Sequence, residues 1–276
     1  MASIALLSDI HGNAPALRAV LADIQQHTCQ QILVLGDIVN GIDPSQCVDL
    51  LRSQPHLTAL KGNAEWYILT PDLAAFPLRH APRYDEVFRL SQWWLRQLSS
   101  EQVAWLQRLP DMLLERGMAF VHDSPLDRLD AERRVMDGVD PKYHEFCFHA
   151  HGIHPTISDT ELQQLGIWMQ DEQLTELFCA HTHEPFQRAL AHWQLCNTGS
   201  VGMPLDGDPR AAWVLVTEDA THRRQITIRR VAYAIEETLE QLDRVAGYPA
   251  FAQPERKDAY TQMLRTGIHW RVHLGA

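Results

Sequence analysis

Three short apolar runs, each closed by a carboxylate or an amide, constrain this chain more than any other feature. Residues 3–8 (Ser-Ile-Ala-Leu-Leu-Ser) carry no charge and end at Asp9; residues 32–35 end at Gly36-Asp37; residues 57–60 lead into Gly62-Asn63. A short continuous run without alternation is what a strand buried on both faces needs. Behind Asn13, a helix cap, and Pro15, a first-turn proline, Leu17, Val20, Leu21 and Ile24 recur at helical spacing. Asp43 or Ser45 opens a second helix through Cys47, Val48, Leu50 and Leu51. Strand, helix, strand, helix, strand is a βαβαβ unit, hence a mainly parallel sheet. Ligands bind such sheets beyond the carboxyl ends of the strands, and there all three strands deliver Asp or Asn.

The pattern then turns helical. Val87, Leu90, Trp94, Leu95 and Leu98 make one apolar face, continued by Val103, Leu106 and Leu109, so residues of about 66–110 read as a helical cap insertion. One of Trp93 and Trp94 is expected in the core. Residues 113–115 and 118–121 flank Arg116-Gly117 as a hairpin whose second arm ends at His122. About 125–172 reads as an irregular insertion with one helix near 159–169 and a His-rich loop before it. Residues 177–180 form a buried strand ending at His181-Thr182-His183, and 186–190, 193–196, 211–217 and 225–231 follow as strands. Ile226 and Ile228 alternate with polar neighbours, which places that last strand near an edge. A helical tail, about 233–276, completes what is expected to be a single domain over 1–276.

Composition narrows the partners. The net charge is −11, which argues against a nucleic-acid partner because phosphate backbones want a basic face. No apolar stretch approaches the length of a membrane span. Five scattered cysteines without a CxxC pair read as reduced thiols of a cytoplasmic protein. A homodimer is left open.

The polar residues at the strand ends are Asp9 and His11, Asp37, Asn63, His122, and His181 and His183. Carboxylate, imidazole and amide donors suit Mn, Fe, Zn, Co or Ni, and suit Mg alone less well. Seven side chains are too many for one ion with an open position and about right for two ions sharing a carboxylate. In Asp9-x-His11 on an extended chain, both side chains point to one side. His181-x-His183 does likewise, unless a turn lets each reach a different ion. Singly, each residue is as well explained as a turn residue, cap or buried histidine; together, each at the end of its own strand, they are not.

The order D-x-H, G-D, G-N, H, H-x-H, followed by Asn197-Thr198-Gly199-Ser200-Val201-Gly202-Met203-Pro204, resembles the calcineurin-like metallophosphoesterase superfamily, in particular its bacterial and archaeal phosphodiesterase and diadenosine-tetraphosphatase-like branch. The resemblance spans about residues 3–231. It implies an α/β (α+β) fold of two facing mixed β-sheets flanked by helices. It implies one metal held by Asp9, His11, Asp37 and His183, and a second by Asp37, Asn63, His122 and His181, with Asp37 bridging. Two divalent transition-metal ions, manganese first among them, are the implied cofactors. The implied activity is hydrolysis of a phosphoester or phosphoanhydride in a small phosphorylated substrate, such as a nucleotide, by a hydroxide bridging the ions. The sequence departs from the family at Gly62-Asn63-Ala64-Glu65, where the family often has His at the position of Ala64, its usual proton donor to the leaving group. His122-Asp123 stands where the third motif normally reads His-Gly. No Arg follows Asp37, which disfavours the protein-phosphatase branch.

Asp37 is thus the expected bridge, Asn63 an expected phosphate contact, and the general acid unassigned. His149, His151 and Arg133 are candidate substrate contacts. They belong to a group with His144, His154, Arg134 and Lys142 that a solvated loop explains as well. Trp66 and Tyr67 offer rings for a nucleobase, though packing of the cap accounts for them better. The competing functional class is a weakened phosphate- or nucleotide-binding regulatory module, for which Ala64 is the supporting feature.

Overall fold

The computed structural model describes residues 2–69, 84–126, 152–245 and 254–269. The βαβαβ unit is present as β1 (Ala2–Leu7), α1 (Ala14–Gln25), β2 (Gln31–Val34), α2 (Pro44–Arg52) and β3 (Leu57–Ala59), with the three strands parallel. Asn13 caps α1 and Asp43 caps α2, each accepting from a backbone N–H of the first turn, with proline in the first turn of each helix. Two antiparallel strands, β9 (Ala211–Glu218) and β10 (Arg224–Val231), complete a five-stranded sheet of order β10-β9-β1-β2-β3, so β10 is an edge. The second sheet is built from β4 (Met112–Glu115), β5 (Met118–Val121), β6 (Glu176–Cys179), β7 (Phe186–Ala189) and β8 (Gln194–Asn197), in the order β4-β5-β6-β8-β7.

The two-residue period of the strands sorts their side chains into layers. Ile4, Leu6, Leu33 and Leu35 meet Met118, Phe120 and Phe178 between the sheets, where Phe120 and Phe178 stack with ring centroids 5.3 Å apart. Their neighbours Ala5, Leu7, Ile32 and Val34 face outward onto α1 and α2. On the far side, α6 (Asp159–Asp171) lays Leu162, Leu165, Trp168 and Met169 against Ala119, Val121 and Leu177. The architecture is two facing mixed sheets with helices outside each.

The helical stretch contains α3 (Asn63–Leu69), α4 (Tyr84–Leu95) and α5 (Ser100–Gln107). It begins earlier than its apolar periodicity indicates, because α3 starts at Asn63 itself. Trp93 and Trp94 are both buried in the helix-side core, and the Trp94 indole donates to Gly41 O at 3.2 Å. The expectation that only one of the pair is core is therefore corrected. The tail contributes α7 (Ile235–Arg244) and α8 (Pro254–Thr266), which pack through Leu239, Leu242, Met263 and Leu264. No described helix is long and apolar enough to cross a membrane.

Candidate metal centre

The site lies beyond the carboxyl ends of β1, β2, β3, β5 and β6. The chain there is not extended. Asp9, His11, Asp37, His181 and His183 have φ of 50°, 49°, 54°, 71° and 62°. The extended geometry expected for Asp9-x-His11 and His181-x-His183 is thus replaced by left-handed turns, each unfavourable by roughly 1–2 kcal/mol for a residue with a Cβ. Neighbouring loops hold these turns in place. Asp9 N donates to Gly36 O (3.1 Å) and His11 N to Asp37 O (3.0 Å); Gly202 N donates to Asp9 O (3.0 Å). A Cβ at Gly62 would stand 2.3 Å from Asp37 Oδ1, so only glycine lets that loop approach so closely.

All seven strand-end residues are brought together, in two adjoining groups. In the first, Asp9 Oδ1 lies 3.3 Å from His183 Nε2 and 3.7 Å from His11 Nε2, and the two Nε2 atoms face each other at 2.9 Å. His183 Nδ1 donates to Met203 O (2.6 Å) and His11 Nδ1 to Asn40 Oδ1, so each Nε2 presents a lone pair. Asp9 Oδ2 accepts from the Ser8 hydroxyl (2.8 Å) and His181 N (3.1 Å), whereas buried Oδ1 has no hydrogen-bond partner. In the second group, His122 Nδ1 donates to Leu35 O (2.7 Å), which turns Nε2 toward Asn63 Oδ1 (3.0 Å), His181 Nδ1 (3.3 Å) and Asp37 Oδ1 (3.5 Å). Asn63 Oδ1 also lies 2.8 Å from His181 Nδ1. Asp37 spans both groups, with Oδ2 3.8 Å from His11 Nε2.

Lone pairs converging on lone pairs in a buried setting repel one another unless a cation lies among them. An orphaned carboxylate oxygen costs far more buried than solvated. The donor set of nitrogen and oxygen, with the outer ring nitrogens anchored on carbonyls, is what divalent transition metals require. The residues therefore fit a metal centre, and Asp9, His11 and His183, and likewise Asp9, Asp37 and His122, are spaced to share an ion.

The electrostatics agree. Burial alone would depress His122, but Asp37 and Asp9 hold it up, to about 9. Burial and then His122 press His181 down to about 4. Burial would raise Asp9, yet His183 and His11 bring it well below the usual carboxylate range. The cluster is a negative well that recruits positive charge, as a proton or as a metal.

Among the described residues, four outside the seven shape the centre. Glu65, fully buried, accepts from Asp37 N (2.9 Å) and Gly62 N (2.8 Å) on Oε2 and from Ile38 N (2.8 Å) on Oε1, tying the Gly36-Asp37 loop to the Gly62-Asn63 loop. Burial and the Asp37 charge push its carboxyl up to about 7. Ser8 steers Asp9, and Asn40 fixes the His11 tautomer. Asn197 Nδ2 donates to Ala180 O (2.8 Å) and Thr182 Oγ1 (3.0 Å), holding the His181–His183 turn. The sequence signal for Glu65 was its place two residues after Asn63; for Asn197, the motif string it opens.

The substrate candidates are distributed differently. His149, His151 and Arg133 lie outside the described residues, as do His144, Arg134 and Lys142. His154 is exposed, 3.9 Å from Glu184. Trp66 donates from its indole to Asp111 Oδ1 (3.1 Å) with Lys61 Nζ 4.8 Å from its ring, and it lines a cleft together with Gly62, His122 and Asp123.

Comparison with known proteins points the same way. The chain is 28% identical over 250 residues to the uncharacterized protein MJ0912 of Methanocaldococcus jannaschii, covering 87% of this chain and 91% of that one. Its structure is similar to a metallophosphoesterase from Sphaerobacter thermophilus (TM-score 0.67, 25% identity, 97% of this chain and 99% of that chain). It also shares the fold of hypothetical protein PH1004 from Pyrococcus horikoshii OT3 (TM-score 0.68, 18% identity, 88% and 93% of the chains). A family model described as the calcineurin-like phosphoesterase superfamily domain matches residues 2–220, and a match of that extent over this fold and these strand ends means that the chain belongs to the calcineurin-like phosphoesterase superfamily.

Proposed function

We propose that the protein is a dinuclear metal-dependent phosphoesterase acting on a small phosphorylated substrate. One ion would be held by Asp9, His11, Asp37 and His183, the other by Asp37, Asn63, His122 and His181. The observation that carries this reading is the pair of lone-pair clusters spanned by Asp37. Two bound divalent ions, manganese being the first to test, would supply Lewis acidity, an acidified water and charge to offset that growing on phosphorus-bound oxygens.

The protein's own part is to orient and exclude. Leu35 O, Met203 O and Asn40 fix the imidazoles with the correct nitrogen inward. Glu65 holds the loops of Asp37 and Asn63 in register. Asn63 directs its carbonyl into the second group and so keeps its amide N–H groups for neighbours and a phosphate oxygen. No side chain is needed as covalent nucleophile; the Ser8 hydroxyl is engaged with Asp9, Thr198 and Gly199 O.

The test is elemental analysis of protein purified without chelator, followed by turnover of bis-p-nitrophenyl phosphate with added Mn²⁺. A panel including diadenosine tetraphosphate and 2′,3′-cyclic nucleotides would then define the substrate. Near two transition-metal ions per chain and metal-dependent turnover are expected. Protein that binds phosphate but hydrolyses none of the panel when fully loaded would instead be a regulatory module.

A further inference from the structure

We infer that Thr238, on the tail helix α7, is a positioning residue for the first of the two ions, its hydroxyl setting the loop that aims His183, a role that rests on the two-ion phosphoesterase reading. It gives the tail a part in the centre, although both tail helices lie beyond residue 220, where the match to the family domain ends.

Thr238 and Asn13 are both fully buried, and the Thr238 hydroxyl donates to Asn13 Oδ1 at 3.0 Å. A hydroxyl shut away from water needs a partner in the protein, and this one finds it 225 residues away in the sequence, just behind His11. Asn13 Oδ1 also accepts from Ala16 N at 3.2 Å, so two donors fix the plane of the amide. The amide nitrogen then reaches the next loop, where Nδ2 donates to Gly202 O at 3.0 Å. That loop is the one that holds His183. Met203 O accepts from His183 Nδ1 at 2.6 Å, and Leu205 N donates to His183 O at 3.3 Å. From Thr238 to His183 the path is unbroken: hydroxyl, amide, loop backbone, imidazole.

The tail grips the same loop at two further points. Met203 and Leu205 pack against the cluster of Ile42, Leu239, Leu242, Met263 and Leu264. Gly207 N donates to Gly267 O, just past α8, at 2.9 Å. Ile42 in turn stands two residues from Asn40, the anchor of His11. Both histidines of the first group therefore take their outer anchor from a loop seated on the tail. The second group is anchored elsewhere: His122 on Leu35 O after β2, and the Asp37 and Asn63 loops on Glu65 of α3. A disturbance of the tail should reach the first ion before the second. Loss of a partner that orients a metal-bound histidine weakens the metal by roughly 10–100-fold, and Thr238, acting one bond further out, belongs at the low end.

The test compares Thr238→Val, which exchanges the hydroxyl for a methyl of nearly the same size, with Thr238→Ser, which keeps the hydroxyl. Mn²⁺ is titrated into metal-free protein and followed by electron paramagnetic resonance, with His11→Ala and His122→Ala as references for loss of the first and the second ion. Thr238→Val should bind the first ion about tenfold more weakly and the second within about twofold of wild type, while Thr238→Ser matches wild type for both. Equal weakening of both ions, weakening of neither, or Thr238→Ser behaving as Thr238→Val would overturn the inference. Should Thr238→Val not fold, Gly267→Ala presses on the same loop from the α8 end, where a Cβ would stand 2.7 Å from Asp208 N. The same selective loss is expected of it, and equal loss of both ions would count against the role of the tail. Wild-type protein that takes up no Mn²⁺ would remove the two-ion reading itself, a result distinct from two bound ions that these variants weaken alike.

Discussion

Asp37 offers one carboxylate oxygen toward His122 and the other toward His11, at 3.5 and 3.8 Å. Asp37→Asn should therefore lower metal content and turnover together, by at least tenfold in rate, as read by elemental analysis and an ester assay; near-normal metal and rate would remove Asp37 from the bridging position. Glu65→Ala orphans three buried N–H groups at once. At about 1–3 kcal/mol for each unsatisfied donor, with partial relaxation, the loss should be roughly 3–5 kcal/mol in denaturant unfolding. His122, held up to about 9 when no cation is present, carries a proton at pH 7 that ligation must expel. Metal binding should release close to one proton per chain at pH 7–8 and tighten as pH rises toward 9; calorimetry in buffers of different ionisation enthalpy measures it. The seven strand-end residues could be named from the sequence because each closes an apolar run. Glu65, Ser8 and Asn40 could not be given their roles, because these are hydrogen bonds to backbone or side chains on other loops, and no periodicity records them.

At the scale of elements, strands buried on both faces and capped helices are written locally, and β1, β2, α1 and α2 were legible for that reason. The turns between them were not. Their left-handed φ at Asp9, His11 and Asp37 is imposed by contacts with loops distant in sequence, such as Gly202 against Ile10. A Cβ on Gly202 would sit 1.8 Å from Ile10 O and 3.0 Å from the Asn13 side chain, so the two loops would have to part. Gly202→Ala should lower stability by about 1–3 kcal/mol and, on the proposed two-ion reading, weaken an ion held at Asp9, His11 and His183 more than its neighbour, since the loop it moves carries Met203 O, the anchor of His183. Equal loss of both ions in a metal titration followed by thermal unfolding would separate general destabilisation from this local effect. The same loop reaches the tail: Asn13 accepts from Thr238 Oγ1 (3.0 Å) and donates to Gly202 O (3.0 Å), so α7 braces the first motif.

For the molecule as a whole, sequence periodicity supplied the parallel half of one sheet, while the facing of two sheets came from the family resemblance. The order β6-β8-β7 is beyond local patterning, because β8 pairs parallel with β6 and antiparallel with β7. That arrangement has an energetic consequence. At one end the sheets are joined by Arg224, which pairs with Glu176 of the second sheet (2.7 Å) and Glu218 of the first (3.0 Å), while Arg116 pairs with Glu218 (3.0 Å). At the other end Asp9, His11, Asp37 and Asn63 follow strands of the first sheet, and His122, His181 and His183 follow strands of the second. Without cations, that second end confronts buried Asp9 with Asp37; with them, it becomes a cross-link between the sheets. The candidate ligands come from both sheets and are assembled only in the folded chain, so metal should bind the native state almost exclusively and stabilise it by about 2.7 kcal/mol at one hundred times its dissociation constant. Chelated protein should accordingly melt several degrees below metal-loaded protein, and Mn²⁺ should restore the difference in proportion to the logarithm of its concentration. A melting temperature indifferent to chelator would mean that no ion joins the sheets, and the active-site reading would fall with it.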